Sequence, residues 1–415
     1  MAKPSVAIVH YSCPPVIGGV EFIIEAHARA FAEAGYATRF IVGKGGTVHP
    51  DVKTLVIPEI TSRGGPIAPV LKSLASGRVP PSFDKVVRRV ESRLMQALHG
   101  VDVCIMHNVL TMHFNLVLTT ALANIMKRKR SVRFIAWTHD LTFSEPFYEP
   151  HHHRRFPWSQ LLTKLPNCDY CAISGQRQQE MCRLFRVARS EIPVIPDGID
   201  VPQQLTLTPE VARLFGDEDL AQVDIVALTP ARILRRKNLG VGMEIVAAIK
   251  KQGRSVRWIV TGAPDAHNKD SVKYYRLLRS LRRQLRLSRE VVFLCERFAD
   301  GVKDDDLRAL YRISDMLLLP SEREGFGLPV LEAGLDGLLA VISDIPALRE
   351  LAGRDAVFIR LGDSAEAVAR KVIKAMRKRP ELIYSKQVIS TYSWDVVFAE
   401  RIVPAILKPE TVWKR

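Results

Sequence analysis

The sequence predicts an α/β protein built from two doubly wound parallel-sheet domains in tandem. Three observations carry that expectation. Short apolar, β-rich runs alternate with stretches of helical period. The alternation breaks once, near residue 200, and then restarts. Late in the second series an apolar strand runs into a glycine-rich turn that opens a helix.

In the first half, strands are expected at 5–11, 37–43, 53–58, 101–106, 133–139, 169–174 and 193–196. Between the first two, Phe22, Ile23, Ala26, Ala30 and Phe31 recur at three- and four-residue steps, the pattern of a helix with one apolar face. A polar stretch over 201–224 with two further prolines then marks the domain boundary. The second series reads strand 224–231, helix 240–252, strand 256–262, helix 271–287, strand 291–295, helix 304–313 and strand 316–320. Domains are therefore expected at 1–200 and 201–390. Ligands of such sheets sit beyond the carboxyl ends of the strands, so two halves facing each other would enclose a cleft.

A chain of 415 residues suits two domains, and 47% hydrophobic with 25% charged residues excludes collagen-like, disordered and coiled-coil classes. No apolar run reaches the ~20 residues of a spanning helix, and the apolar stretch before His10 is too short for a signal-peptide core. Six cysteines make no disulfide framework, so a cytosolic chain with reduced thiols is expected. The net charge of +16 favours nucleic acid, anionic lipid or a nucleotide as partner. Residues 231–300 carry +11 of it. On helix 271–287, Lys273, Arg276, Arg279, Arg283 and Arg286 are expected on one side. Leu277, Leu278, Leu281 and Leu285 are expected on the other, facing the core. The cationic side reads as a solvated face or as a surface for anionic lipid headgroups.

The strongest chemical signal is Glu324-Gly-Phe-Gly-Leu-Pro-Val-Leu-Glu332, directly after strand 316–320. Gly325 and Gly327 let backbone amides approach a ligand, and Pro329 suits the start of a helix, where a missing N–H costs nothing. The amino end of that helix suits an anion such as a diphosphate. Two carboxylates can each accept from a pair of vicinal hydroxyls, which a nucleotide sugar offers on both its hexose and its ribose.

At these residues the chain resembles the retaining glycosyltransferases of the GT-B fold, the family 4 or group 1 type with a Glu-x7-Glu signature. The resemblance extends over most of the sequence. Pro15-Val-Ile-Gly18-Gly19-Val-Glu21 is similar to the family's glycine-rich loop after the first strand. Val194-Ile-Pro-Asp197-Gly198-Ile-Asp200 is similar to its interdomain Pro-Asn-Gly-Val-Asp. Pro230-Ala-Arg232-Ile-Leu-Arg-Arg-Lys237-Asn238 resembles its Arg…Lys-Asn phosphate site, and Asp344-Ile-Pro346-Ala-Leu-Arg-Glu350 its late Pro…Glu turn. Ser393-Trp394 looks like the start of its C-terminal helix, which implies that 391–415 returns to the first domain. The family's small-residue-Cys-Gly-x-Pro-Val stretch is replaced by Gly334-Leu-Asp-Gly337-Leu-Leu-Ala-Val341, without the proline.

The resemblance implies two Rossmann-like domains, a nucleoside-diphosphate sugar donor of the UDP-glucose or GDP-mannose type, a hydroxyl acceptor (a small molecule, glycan or lipid-linked), retention of configuration, and no metal or other cofactor. His139, Arg232, Lys237 and Glu324 become the expected catalytic residues. Gly18, Gly19, Gly262, Phe298, Gly325, Phe326, Gly327, Leu328 and Glu332 join Arg232, Lys237 and Glu324 on the donor side, while His107 and Asp140 lie on the acceptor side. Arg232 and Lys237 have a physical argument of their own. Negative charge builds on the β-phosphate as the sugar leaves, and fixed cations there lower the barrier. Alanine in place of Lys237 or Glu324 is expected to abolish transfer with little change in thermal stability.

His151-His152-His153 and Cys168-x-x-Cys171, with only Cys182 nearby, fall short of a four-ligand zinc site. Alternatives to transfer are a sugar-nucleotide epimerase, a phosphorylase on the same scaffold, or nucleic-acid binding through 231–300. The last conflicts with the low aromatic content and with the lack of a recognisable module. The expected location is cytoplasmic, with a peripheral membrane contact if the basic helix meets anionic lipid.

Overall fold

The computed structural model describes residues 3–265, 268–298, 301–352, 356–360, 362–407 and 409–413. The chain forms two compact units. One holds Met1–Gly198 together with Trp394–Arg415, the other Ile199–Ser393.

The first unit is a six-stranded parallel sheet of β1 (Val6–Ser12), β2 (Thr38–Lys44), β3 (Val52–Val56), β4 (Val103–His107), β5 (Arg133–Thr138) and β6 (Cys168–Ala172), in the order β3-β2-β1-β4-β5-β6. Side chains alternate across it. Ala7, Val9 and Tyr11 enter one apolar cluster with the helices Phe83–Ala97 and Leu116–Arg128. Val6 and Ile8 enter the other with Ile24, Ala28 and Phe31 of helix Gly19–Glu33. The C-terminal segment completes this second cluster with Val397, Ile402, Ala405, Ile406 and Trp413. It is pinned by the Trp413 indole N–H on the Tyr170 carbonyl (2.9 Å) and by Trp394, which fills the space a side chain at Gly198 would need.

The second unit repeats the plan with β7 (Ile225–Thr229), β8 (Val256–Val260), β9 (Val291–Phe293), β10 (Met316–Leu319), β11 (Leu339–Ser343) and β12 (Val357–Ile359), ordered β12-β11-β10-β7-β8-β9. Renumbered within its own unit, each sheet has the order 3-2-1-4-5-6 of doubly wound nucleotide-binding sheets. In both, the order reverses between the first and fourth strands, which places the two switch points at β1/β4 and β7/β10.

Three expectations need correction. Segment 193–196 forms no ladder strand, only a bridge between Val194 and Ala172, because its two prolines supply no N–H. Strand β12, three residues long, escaped the sequence reading. Helix Lys269–Gln284 buries Ser271, Tyr274 and Leu278, whereas Leu277 is 56% exposed. The buried stripe runs through 274 and 278, and Leu277 lies a hundred degrees around from Leu278.

Candidate functional site

The switch point of the second unit carries the best-formed polar cluster. After β7 the chain runs through Arg232 into a single turn, Arg235–Lys237, and then enters helix Leu239–Lys251 through Asn238 at φ 52°. After β10, Ser321 leads into the loop bearing Glu324. The two loops are stitched by the Glu322 amide on the Arg236 carbonyl (2.8 Å) and by the Arg236 guanidinium on the Arg323 carbonyl (3.1 Å). Between them, Lys237 Nζ meets Glu324 Oε1 at 2.5 Å, the Ser321 hydroxyl donates to the same oxygen at 2.7 Å, and Arg236 lies 3.5 Å from Oε2. Both Lys237 and Glu324 side chains are about nine-tenths buried. Burial opposes ionisation of Glu324, but the hydrogen bonds from Lys237 and Ser321 and the nearby Arg236 outweigh it, so its carboxyl titrates below the usual range.

This pairing revises the expected stability effect. Removing Lys237 leaves a largely buried carboxylate with fewer donors, at a cost of about 2 kcal/mol for a charge-assisted bond. Alanine at either position is therefore expected to lower stability, contrary to the expectation of little change.

Beyond Glu324 the glycines divide. Gly327 stands at φ 102°, a backbone that L side chains rarely adopt, and it starts helix Leu328–Leu335 with no side chain capping the amino end. A Cβ at Gly325 would meet nothing within 4 Å, so that position leaves open room beside the loop. Phe326 and Leu328 are 56% and 59% exposed. Glu332, one turn into the helix, accepts from the Tyr311 hydroxyl at 2.5 Å. Burial first, and then this carboxylate, drive the Tyr311 phenol strongly upward, which keeps it a donor.

Arg232 is exposed on the β7 loop. Gly262, expected on the donor side, sits where the β7 and β8 loops meet. A Cβ there would lie 2.2 Å from the Ala231 carbonyl and 2.5 Å from Arg232 Cα, so glycine lets the β7 and β8 loops touch. Phe298 likewise packs half-buried against the apolar cluster of its unit, as an edge of the core.

In the first unit a chain of histidines crosses the β1/β4 switch point. His10 on β1 donates through Nδ1 to the His107 carbonyl (2.8 Å), and its Nε2 lies 3.8 Å from Glu21. His107 Nδ1 and His139 Nε2 are 3.0 Å apart, and His139 Nδ1 lies 3.5 Å from Asp197. Both ring nitrogens of His139 thus have partners inside the unit. Burial lowers His10 to about 4 and His27 to about 3, and pushes His107 well below the ordinary value. Asn108, at φ 60°, accepts from the amides of His139 (2.8 Å) and Asp140 (3.0 Å) and donates to the Asp140 carboxylate (3.1 Å). Gly18 begins helix Gly19–Glu33 in extended conformation. A Cβ there would strike the Glu21 carboxylate, whereas one at Gly19 would meet nothing. Gly18 therefore leaves room for the Glu21 carboxylate, whereas Gly19 borders open space. Glu21 also accepts from Ser12 at 2.6 Å.

Sequence reasoning missed Ser321, Arg236, Tyr311 and Asn108, and quoted Glu21 and Asp197 without giving them roles. Glu21 and Asp197 carried a signal through the motifs that contain them, while Tyr311 carried none. The triple histidine splits apart. His151 stacks on His113 at 4.1 Å, His152 Nε2 bonds the Thr142 carbonyl at 2.7 Å, and His153 meets the Trp158 ring. Cys168 and Cys171, three residues apart on β6, enter opposite apolar clusters of the sheet.

Residues 17–203 match the model of glycosyltransferase family 4, and residues 212–389 match that of glycosyl transferases group 1. The two halves of this chain are glycosyltransferase domains. An uncharacterised glycosyltransferase of Methanocaldococcus jannaschii is 24% identical over 59% of this chain and 61% of its own. The serotype-specific mannosyltransferase WbdA of Escherichia coli is 28% identical over 42% of this chain and 22% of its own. This chain thus spans less than two thirds of either relative. Among solved structures, a glycosyltransferase of Rickettsia africae (18% identity, covering 98% of this chain and 100% of that one) superposes with a TM-score of 0.36. Sucrose-phosphate synthase of Thermosynechococcus elongatus (16% identity, 96% and 97%) gives 0.38. In the group 1 domain, the Lys237–Glu324 pair occupies the switch point, and no helix among the described residues is long and apolar enough to cross a membrane.

Proposed function

We propose that this chain is a retaining hexosyltransferase, taking a hexose from a nucleoside-diphosphate sugar held by the group 1 domain and passing it to a hydroxyl acceptor. One observation carries the reading: a buried lysine and a carboxylate, joined at 2.5 Å, stand at the carboxyl ends of the two strands that flank the switch point.

Lys237, a compact point charge with three donors, reaches the β-phosphate while still paired with Glu324. Arg232 adds a second, planar cation from the same loop. The free amino end of helix Leu328–Leu335 lies beside them for the remaining phosphate charge. Glu324 accepts from hexose hydroxyls with the lone pairs that Lys237 and Ser321 leave open, and Glu332, oriented by Tyr311, accepts from the ribose. In the transfer step the bond from the anomeric carbon to the β-phosphate oxygen breaks, and a bond to the acceptor oxygen forms on the same face. The acceptor proton passes to the departing phosphate. The cations bind the phosphate more strongly as its charge grows, which is where they lower the barrier.

Several relatives are named mannosyltransferases, among them the O-antigen chain mannosyltransferase B of Escherichia coli at 33% identity over 20% of this chain. GDP-mannose is accordingly the first donor to test and UDP-glucose the second. The reaction as drawn needs no metal, no nucleic acid and a cytoplasmic supply of nucleotide sugar.

Product analysis with each donor, with and without a panel of hydroxyl acceptors, tests the reading. A glycoside of the donor's own anomeric configuration is expected. Lys237→Ala should lower kcat by about 10²–10³, the loss typical of one transition-state donor. An epimerised nucleotide sugar formed without acceptor, a sugar phosphate, or an unchanged rate in Lys237→Ala would each contradict it.

A further inference from the structure

The second unit carries a second cationic surface, at the opposite end of its sheet from Lys237. There the end of helix Leu239–Lys251 meets helix Ala365–Met376. Arg254, Arg370, Lys374, Arg377 and Lys378, with Gln252, Gly253 and Ile373, line an open groove of about 540 Å³ that has no carboxylate in its lining. Arg370, Lys374, Arg377 and Lys378 recur at steps of four, three and one, which puts them on one stripe of the helix and the turn after it. Their neighbours are neutralised, Lys371 by Asp363 (2.8 Å) and Arg379 by Glu381 (2.9 Å), whereas these four have no acidic partner among the described residues.

The groove runs into an apolar cavity of about 310 Å³ with which it shares Arg254, Ile373 and Arg377. Ile225, Met376, Leu382 and Ile383 form its apolar wall. Its two acids are already engaged, Asp315 by Lys386 (2.9 Å) and Asp224 by Ser255 and Arg254. Ile383, on helix Pro380–Tyr392, lines it and stands 52% exposed, and the next residue, Tyr384, is 68% exposed. A free anion would use only the groove, and a neutral apolar molecule only the cavity. A molecule with a phosphate head and a hydrocarbon tail uses both.

We propose that this surface docks the second unit onto an anionic phospholipid bilayer, with headgroup phosphates on the four unpaired cations and acyl chain in the cavity. The expectation for helix 271–287 is thereby relocated. Arg279 and Arg282 of that helix are drawn onto Glu296 at 3.7 and 2.9 Å, and Lys273 lies 4.0 Å from Asp270, so much of its charge is met within the protein. The docking surface lies at the amino ends of β7 and β10, whose carboxyl ends carry Lys237 and Glu324, so membrane contact and donor chemistry are separable by mutation.

The test is flotation of the full chain with phosphatidylcholine vesicles, with and without phosphatidylglycerol. Three variants go with it: Arg370→Gln/Lys374→Gln/Arg377→Gln/Lys378→Gln, Ile383→Ser, and the control Lys273→Gln/Arg276→Gln/Arg283→Gln. Binding should require phosphatidylglycerol and weaken about fivefold per cation removed in the first variant. Ile383→Ser should weaken it and the control leave it within about twofold. Calorimetry with inorganic phosphate separates a free-anion site. Phosphate binding that is lost in the four-cation variant, with no vesicle binding, would overturn the proposal. So would equal binding to neutral vesicles, or unchanged binding in the four-cation variant.

Discussion

His27 is a costly residue for the first unit to hold. It is fully buried among His107, Trp137 and Trp394, at ring distances of 5.1, 4.8 and 5.2 Å, and neither of its nitrogens has a hydrogen-bond partner among the described residues. Burial, only partly offset by Asp197, holds it at about 3, and burial holds His10 at about 4. A histidine whose folded pKa is depressed contributes fully above its unfolded value near 6.5, and that contribution is lost as pH falls towards the folded value. Each such ring should therefore withdraw about 2 kcal/mol between pH 7 and pH 5. His27→Phe keeps the ring's shape and removes the proton. The drop in Tm from pH 7 to pH 5 should be smaller in the variant than in the parent chain. An equal drop would show that the ring charges without penalty. The sign is opposite to that of a surface histidine paired with a carboxylate, so the experiment separates the two.

Elements place the site through loop contacts that periodicity does not reveal. The strands were legible because apolar, β-branched runs between turn residues survive as buried parallel strands on both faces. Their ends shifted by at most two residues, since the last ladder bond depends on the neighbouring strand rather than on the run itself. The Glu324 loop was legible for a different reason: Gly327, at φ 102°, and Pro329 are demanded by the turn and the helix start. Gly262 looked the same in sequence and does different work, because only the fold shows the Ala231 carbonyl where its Cβ would be. Gly262→Ala must push the β7 loop aside, costing about 1–3 kcal/mol and displacing Arg232. A lower denaturation midpoint with raised donor KM is the expected pair of changes. An unaltered midpoint would mean that the loop gives way freely.

Across the whole molecule, the repeated 3-2-1-4-5-6 order ties the site to the fold, since both halves turn the strand order at the place where their polar clusters stand. The sequence told where the strands fall but not their order, and the order is what singles out Lys237 with Glu324 in one unit and His10 with His107 in the other. The return of 391–415 to the first unit was implied by resemblance, and the packing gives its cause: Trp394, Phe398, Ile402 and Trp413 cover apolar surface on helix Gly19–Glu33 and β6. Charge tells least about place. The excess over 231–300 pointed to one helix, but Glu296 tempers that helix, whereas Arg370, Lys374, Arg377 and Lys378 have no acidic partner among the described residues. The measurement that bears most directly on the donor site is calorimetric titration of the full chain and of Lys237→Ala with GDP-mannose and UDP-glucose. One donor should bind the parent chain with a Kd between about 1 μM and 1 mM and bind the variant at least tenfold more weakly. Equal affinity in the two proteins, or no heat with either donor, would contradict a diphosphate seat at the β7/β10 switch point.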